Sequence, residues 1–458
     1  MKTQIYNSLM AILLLCSSLG CSDFTEVDTP QSQLTTPDVY QNVETAEAAV
    51  SDIYAHIREL GMVSGTLGGV SVLLSCYSDE MQFTAQNADI AQFYDHTMVP
   101  SNGLLKPLWA NTYTEIYAAN MVLEGLAGAT AISTADRERL TGEAYFLRAY
   151  LHFYLINVFG DIPYVTTTNY VTNATIGKTP AYEVLQKVSV DLLLAESLLT
   201  NTYPSTERVR ANKATVQALL ARVYLYREDW TNAAAKATAV IDNPTYVWVN
   251  NPATEFLRQS TSTILALHPG TPGLNAKDGR TFIYSSGPPS KPFLSPQFVA
   301  SFETGDLRRT NWVRTITTGG VNWHMSYKYK KTGATATSEE YTILFRLPEQ
   351  YLIRAEAYAQ LNNVSGAQAD INKIRTKAGL PATTAVTQTD LLAAVAKERK
   401  YELFTEQGHR WFDLKRTGQA AAVLSPIKPN WEATDLLFPL PATELLLNNN
   451  LLPQNPGY

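Results

Sequence analysis

Glycoside hydrolysis needs two carboxylates facing each other across the bond to be broken. Asp79-Glu80 is the only acidic pair in a segment that reads as a cleft loop, and neighbouring side chains do not face each other. Asp306-Leu307-Arg308-Arg309 reads better as a charge-paired turn. No HExxH, GxSxG, P-loop or dinucleotide-type glycine pattern is present. His56, His152 and His409 fall in helical segments, where a histidine is most often a satisfied core or surface residue. What remains are aromatic side chains in irregular stretches: Trp323, Tyr327 and Tyr329 in VNWHMSYKYKK, Phe282 and Tyr284 in RTFIYSS, Phe93 and Tyr94 in AQFYDH. A sugar ring has an apolar C–H face that suits a flat aromatic ring and a hydroxyl rim that suits Asn, Asp, Arg or Gln. Each stacked platform contributes about 1–2 kcal/mol, so binding needs two or three of them in an arc. Trp323, Tyr327, Tyr284, Tyr94 and Phe93 are therefore the candidate ligand-binding residues. For each, packing under a loop is the competing reading. Trp323 stands out because Gly319, Gly320, Asn322 and His324 suggest an exposed turn. Trp109, Trp230, Trp411 and Trp431 are assigned to the core, and Trp248 and Trp312 stay open.

The elements that hold these residues read as mostly helical. Residues 134–159 form one long helix with Leu140, Ala144, Leu147, Leu151, Tyr154 and Val158 on a stripe, stopped by Gly160-Asp161-Ile162-Pro163. Further helices are expected from Asp38 through Ile57, from Trp109 to Leu123, and over 180–199, 213–227 and 230–241. Residues 73–107 show no sustained period and read as an aromatic-rich loop. Ala221, Tyr224, Trp230, Ala233, Ala237 and Val240 repeat as Ala355, Tyr358, Val364, Ala367, Ile371 and Ile374 at an offset of 134. Each unit resembles a degenerate tetratricopeptide hairpin, in which small residues let paired helices approach closely. Pairs around Glu115 and Arg148, and around Leu392 and Trp411, would complete the array. Between the clear repeats, residues 245–348 are rich in Pro and Gly, with short β-prone runs at 264–267, 281–284 and 341–345. The expected fold is a tetratricopeptide-like helical-hairpin scaffold carrying an irregular, loop-rich insertion with a few short strands.

The N-terminus reads as a lipoprotein signal over residues 1–20. Lys2 precedes the apolar run LMAILLL, too short to span a membrane, and Gly20-Cys21 resembles a lipobox whose cysteine is acylated. Ordinary secretion with a free Cys21 is the alternative. Residues 21–37 are a polar tether, and 38–458 read as a single domain. Of three cysteines only Cys76 is then left, so no disulfide framework is available, and one thiol with six scattered histidines does not suggest a zinc site. The net charge of −6 argues against non-specific nucleic-acid binding.

Residues 397–418, KERKYELFTEQGHRWFDLKRTG, are too charged for a core helix and too aromatic for a solvated one. Spacing alone favours a salt-bridged surface helix. The alternative is a junction with its rings buried and its charges paired to other elements. The order Glu398-Arg399, Glu402-Leu403, Glu406, Gly408-His409-Arg410, Asp413-Leu414 and Arg416 resembles the signature of the SusD/RagB family of Bacteroidetes outer-membrane nutrient-binding lipoproteins. FGDIPYV after Leu147-Arg148-Ala149-Tyr150, Phe438-Pro439-Leu440-Pro441, and the closing Asn455-Pro456-Gly457-Tyr458 fit the same pattern.

That resemblance implies a non-catalytic, lipid-anchored outer-membrane protein facing outside. It would capture oligosaccharides, or peptides in some relatives, and pass them to a SusC-like TonB-dependent transporter, with no cofactor and no metal. Binding residues in this family lie in variable loops, so the resemblance names none here. A periplasmic helical-repeat scaffold lipoprotein and a lipid-anchored hydrolase are the competing readings.

Overall fold

The computed structural model describes residues 39–458. The signal segment, Cys21 and the whole tether lie outside the described residues. Helix α1 (Val43–Glu59) starts where the Asn42 side chain accepts the Glu44 N–H at 2.7 Å, four residues after the Asp38 expected to cap it. The stretch 73–107, expected as a loop, is instead built from α2 (Val70–Tyr77), strand β1 (Met81–Gln82) and α3 (Ala88–Asp95). Helices of eight residues are too short to show a period. Then come α4 (Leu105–Ala127), α5 (Thr134–Phe159), α6 (Ala181–Leu198), α7 (Lys213–Tyr226) and α8 (Trp230–Ile241). After the insertion follow α9 (Leu347–Gln360), α10 (Val364–Lys377), α11 (Gln388–Glu402) and α12 (His409–Arg416).

Helices α4 and α5, α5 and α6, α7 and α8, and α9 and α10 pack as successive neighbours. The repeat works as its alanines suggest: Ala221, Ala233, Ala237, Ala355 and Ala367 are fully buried and let the backbones close in. Helix α8 lies directly on α9 although residues 242–346 separate them, so the insertion loops out of a continuous array.

Within the insertion, β2 (Thr263–Leu267) pairs antiparallel with β6 (Thr342–Arg346), as two of the three β-prone runs suggested. The third run falls at the end of a short helix, Lys277–Phe282. A four-stranded sheet in the order β1-β3-β5-β4 was not expected; it joins β1 to β3 (Phe293–Leu294), β5 (Val321–Ser326) and β4 (Val313–Thr318). Gly319 and Gly320, with φ of 61° and 78°, form the two-residue turn of the β4–β5 hairpin.

The signature stretch is a buried junction rather than a surface helix. Glu398, Arg399, Glu402 and Glu406 are all buried, and a turn at residues 403–408 carries the chain from α11 to α12. Arg346, at the end of β6, binds Glu402 at 2.6 Å and Glu406 at 2.8 Å. Lys377 reaches Glu402 at 2.5 Å, Lys328 reaches Glu406, and Arg308 pairs with Asp306 and Glu398, each at 2.8 Å. Burial pushes the Glu402 carboxyl up, but Lys377, Arg346 and Arg308 overcome it and hold it well below the usual range. For Lys328 burial wins over Glu406 and brings its ammonium down to about 8. Gly408 takes φ 78°, and an added Cβ would overlap Leu74. Gly408→Ala should therefore lower stability by about 1–2 kcal/mol, read as a fall in the urea midpoint.

Candidate ligand-binding site

Three of the five candidate residues gather on the β4–β5 hairpin. In register, Ile316 faces Trp323, Arg314 faces Met325 and Thr315 faces His324. Side chains alternate across a strand, so Arg314, Ile316, Trp323 and Met325 share one face while Thr315, Asn322 and His324 share the other. Trp323 is half-buried. Phe293 of β3 meets its ring edge-on, with centroids 5.0 Å apart and planes at 85°. Gly287 lies so close that a Cβ there would overlap the indole, and its N–H donates to Thr318 Oγ1 at 3.2 Å. The segment SSGPPSKP thus covers part of Trp323, and the indole N–H is buried without an acceptor among the described residues. The exposed turn is at Gly319-Gly320; Trp323 lies inside β5, three residues further on.

Tyr284 is half-buried, and its hydroxyl donates to the His324 carbonyl at 2.8 Å. Its phenol is raised by burial. The half-buried Tyr327 ring lies between Arg314 and Lys330, whose charged ends stand 5.5 and 5.7 Å from its centroid. On the opposite face Thr315 Oγ1 and His324 Nδ1 share a hydrogen bond of 2.8 Å. Burial, then Arg309, holds the His324 imidazole below its usual range. The hairpin therefore offers aromatic rings beside cations and hydrogen-bonding groups, the combination that recognises a saccharide.

Phe93 is a correction. It is fully buried, edge-on to Tyr77 and Phe438 at 6.5 and 5.3 Å, because the short helix α3 turns it into the core. It cannot face a ligand. Tyr94 is half-buried away from the hairpin, with the Lys428 ammonium 3.7 Å from its ring centroid and bonded to its carbonyl at 2.8 Å. Trp109 and Trp411 are core residues as assigned, whereas Trp230 and Trp431 are only partly buried. Trp312 is fully buried and donates to the Pro252 carbonyl at 2.8 Å. The acidic pair is committed to the scaffold. Asp79 binds Arg410 at 2.6 Å and Lys400 at 3.1 Å, and against the lift of burial these cations take its carboxyl down to about 2. Glu80 accepts from Ser75 at 2.5 Å and from the Thr405 N–H, and burial pushes it up to about 7.

Sequence reasoning missed Phe293, Arg314 and Thr315 as neighbours of the aromatic group. The usable signal was Gly319-Gly320 between two alternating runs, which is a hairpin turn. No group of metal-ligating side chains occurs among the described residues, and none of their helices is long and apolar enough to cross a membrane.

Two family models match, one described as starch-binding and associating with the outer membrane, over residues 23–225, and one described as the SusD family, over residues 166–458. The chain is 27% identical to SusD-like protein P2 of Formosa agariphila, over 98% of each chain. It is similar in fold to a SusD superfamily protein of Bacteroides vulgatus, with a TM-score of 0.80 at 20% identity, covering 91% of this chain and 99% of the other. A protein described as a laminarin-binding SusD-like protein gives a TM-score of 0.77 at 24% identity, over 91% and 99% of the two chains. The buried signature junction, the helical-hairpin array and these matches agree: the chain belongs to the SusD family.

Proposed function

We propose that the protein captures oligosaccharides at the outer surface of the outer membrane and delivers them to a SusC-like TonB-dependent transporter, without catalysis of its own. Acylated Cys21 would hold it there. What supports this reading is the β4–β5 hairpin: Trp323 lies in β5, Tyr284 bonds to the carbonyl of its neighbour His324, and Tyr327 lies beside Arg314 and Lys330. The laminarin binding named for one relative makes β-glucan oligosaccharides the first ligands to try. The helical array, which contributes none of these rings, is left to act as scaffold and transporter contact.

Calorimetric titration against laminarin and other plant and host oligosaccharides tests it, with Trp323→Ala alongside. Losing one platform of about 1–2 kcal/mol should weaken binding about five- to thirtyfold while circular dichroism stays unchanged. Equal binding by both proteins would move the site away from the hairpin, with Tyr94 next to be tested. If no saccharide binds, peptide capture replaces the glycan reading.

A further inference from the structure

A large cleft lies away from the hairpin. It has a volume of about 830 Å³ and opens between α7, α9, α11 and α12 of the helical array. One end is cationic. Arg399, Lys400, Arg410 and Arg416 line it with Asp413 and Glu356. Arg416 holds both Glu356, at 2.5 Å, and Asp413, at 2.8 Å. Asp79, reaching in from α2's end, serves Lys400 and Arg410 together. Four cations thus share three carboxylates, and the shortfall falls on Arg399.

The Arg399 side chain is 1% exposed, and only its Nε is satisfied, by Asp413 at 2.7 Å. Its Nη1 and Nη2 have no acceptor among the described residues, and neither does the buried hydroxyl of Tyr226, which lines the same cleft. A guanidinium with two unanswered donors in a water-poor site is costly, and a carboxylate presented to both at once relieves that cost with a bidentate charge-assisted pair. The wall over this floor is apolar: Leu392, Ala393 and Ala396 along α11, and Leu414 and Val423 opposite. Trp230 and Tyr226 are its two partly exposed rings, and the rest of its apolar lining is aliphatic. Leucine and alanine walls suit aliphatic side chains, and grooves between stacked helical hairpins suit an extended chain.

We propose that this cleft is a second binding site, which takes a peptide segment whose acidic side chain or C-terminal carboxylate pairs with Arg399 while adjoining aliphatic side chains lie along α11. The site is independent of the glycan reading, because it shares no residue with the hairpin. Glu228 on the exposed rim repels a second acidic group there, so one carboxylate flanked by apolar residues fits better than an acidic run.

The test pans the purified protein against a displayed library of random dodecapeptides, with Ala396→Trp and Arg399→Gln in parallel. Ala396 is exposed, so the tryptophan fills the cleft without touching the ion pairs and keeps the test valid if Arg399→Gln fails to fold. The expected result is enrichment of peptides with one Asp or Glu beside Leu, Ile or Val. A selected peptide, synthesised, should lose at least tenfold in affinity on Glu→Gln exchange, and a similar amount in Ala396→Trp. Peptides without acidic enrichment, binding indifferent to Ala396→Trp, or no selected peptide at all would overturn the proposal. Tetragalacturonate serves as the saccharide arm: if it binds and loses affinity in Ala396→Trp while no peptide is selected, the cleft takes an acidic glycan and the peptide assignment is wrong.

Discussion

Arg346→Ala should cost about 3–5 kcal/mol, because it removes one partner from a buried ion cluster and leaves the other charges uncompensated. Arg346 is 2% exposed and binds Glu402, Glu406 and the Glu402 carbonyl, with Glu255 3.6 Å away. Without it, Lys377, Lys328 and Arg308, the last already shared with Asp306 and Glu398, face Glu402, Glu406 and Glu255 in a buried site. Arg258→Ala is the control: it breaks the more exposed pair with Glu207 and should cost less than about 1 kcal/mol. Urea unfolding followed by tryptophan fluorescence reads both. Equal midpoints for the two variants would mean that the cluster does not hold the insertion to the helices. Replacing Arg346 by Lys should recover little, since a single ammonium cannot fork between Glu402 and Glu406.

The second large effect depends on pH. Glu115 of α4 is 1% exposed, both of its oxygens are unpartnered, and burial raises its carboxyl from 4.5 to about 8. In the unfolded chain it ionises near 4.5, so between these values the folded state holds a proton that the unfolded state has released. Its contribution is fully present below about pH 4.5, declines as pH rises, and is lost above about pH 8. At 1.36 kcal/mol for each pH unit, that span is worth roughly 5 kcal/mol. Glu115→Gln should leave stability at pH 4.5 little changed and raise it by about 4–5 kcal/mol at pH 8.5, measured as the difference between urea midpoints. A parallel shift at both pH values would show that Glu115 is ionised in the folded protein. Glu80, pushed up to about 7, adds a smaller slope over the same range, so Glu115→Gln flattens the profile without abolishing it.

What could be read from the sequence follows the physics of each element. Long amphipathic helices declare themselves, and α5 and α8 begin and end where periodicity and Gly160-Asp161 place them. The alanine repeat gave the stacking of α8 on α9 across the insertion, because small residues have few other reasons to recur on facing helices. The junction at 397–418 was readable only as two alternatives. Charge spacing does not reveal that Arg346, Lys377 and Arg308 arrive from elsewhere to bury those charges. The sheet was not legible for a similar reason: β1 and β3 are two residues each, and their pairing is set by tertiary contact. Among the candidate site residues, local context favoured Phe93 because its neighbours look like loop, whereas one turn of helix is enough to bury it. Tyr284 does bond beside Trp323, at the His324 carbonyl, but the covering segment at Gly287 could not be foreseen from composition.

The β2–β6 pair has a kinetic and an evolutionary consequence. It closes the neck of the excursion, so that residues 268–341 hang from two adjacent strands before the array resumes at α9. Closing a loop of that length costs about 4 kcal/mol of chain entropy, which makes the meeting of α8 with α9 a late, non-local event in folding. Doubling the excursion would add only about 0.6 kcal/mol. Exposed loops of this excursion can therefore be lengthened at little entropic penalty, provided that Arg308, Lys328 and Arg346 still reach the buried carboxylates.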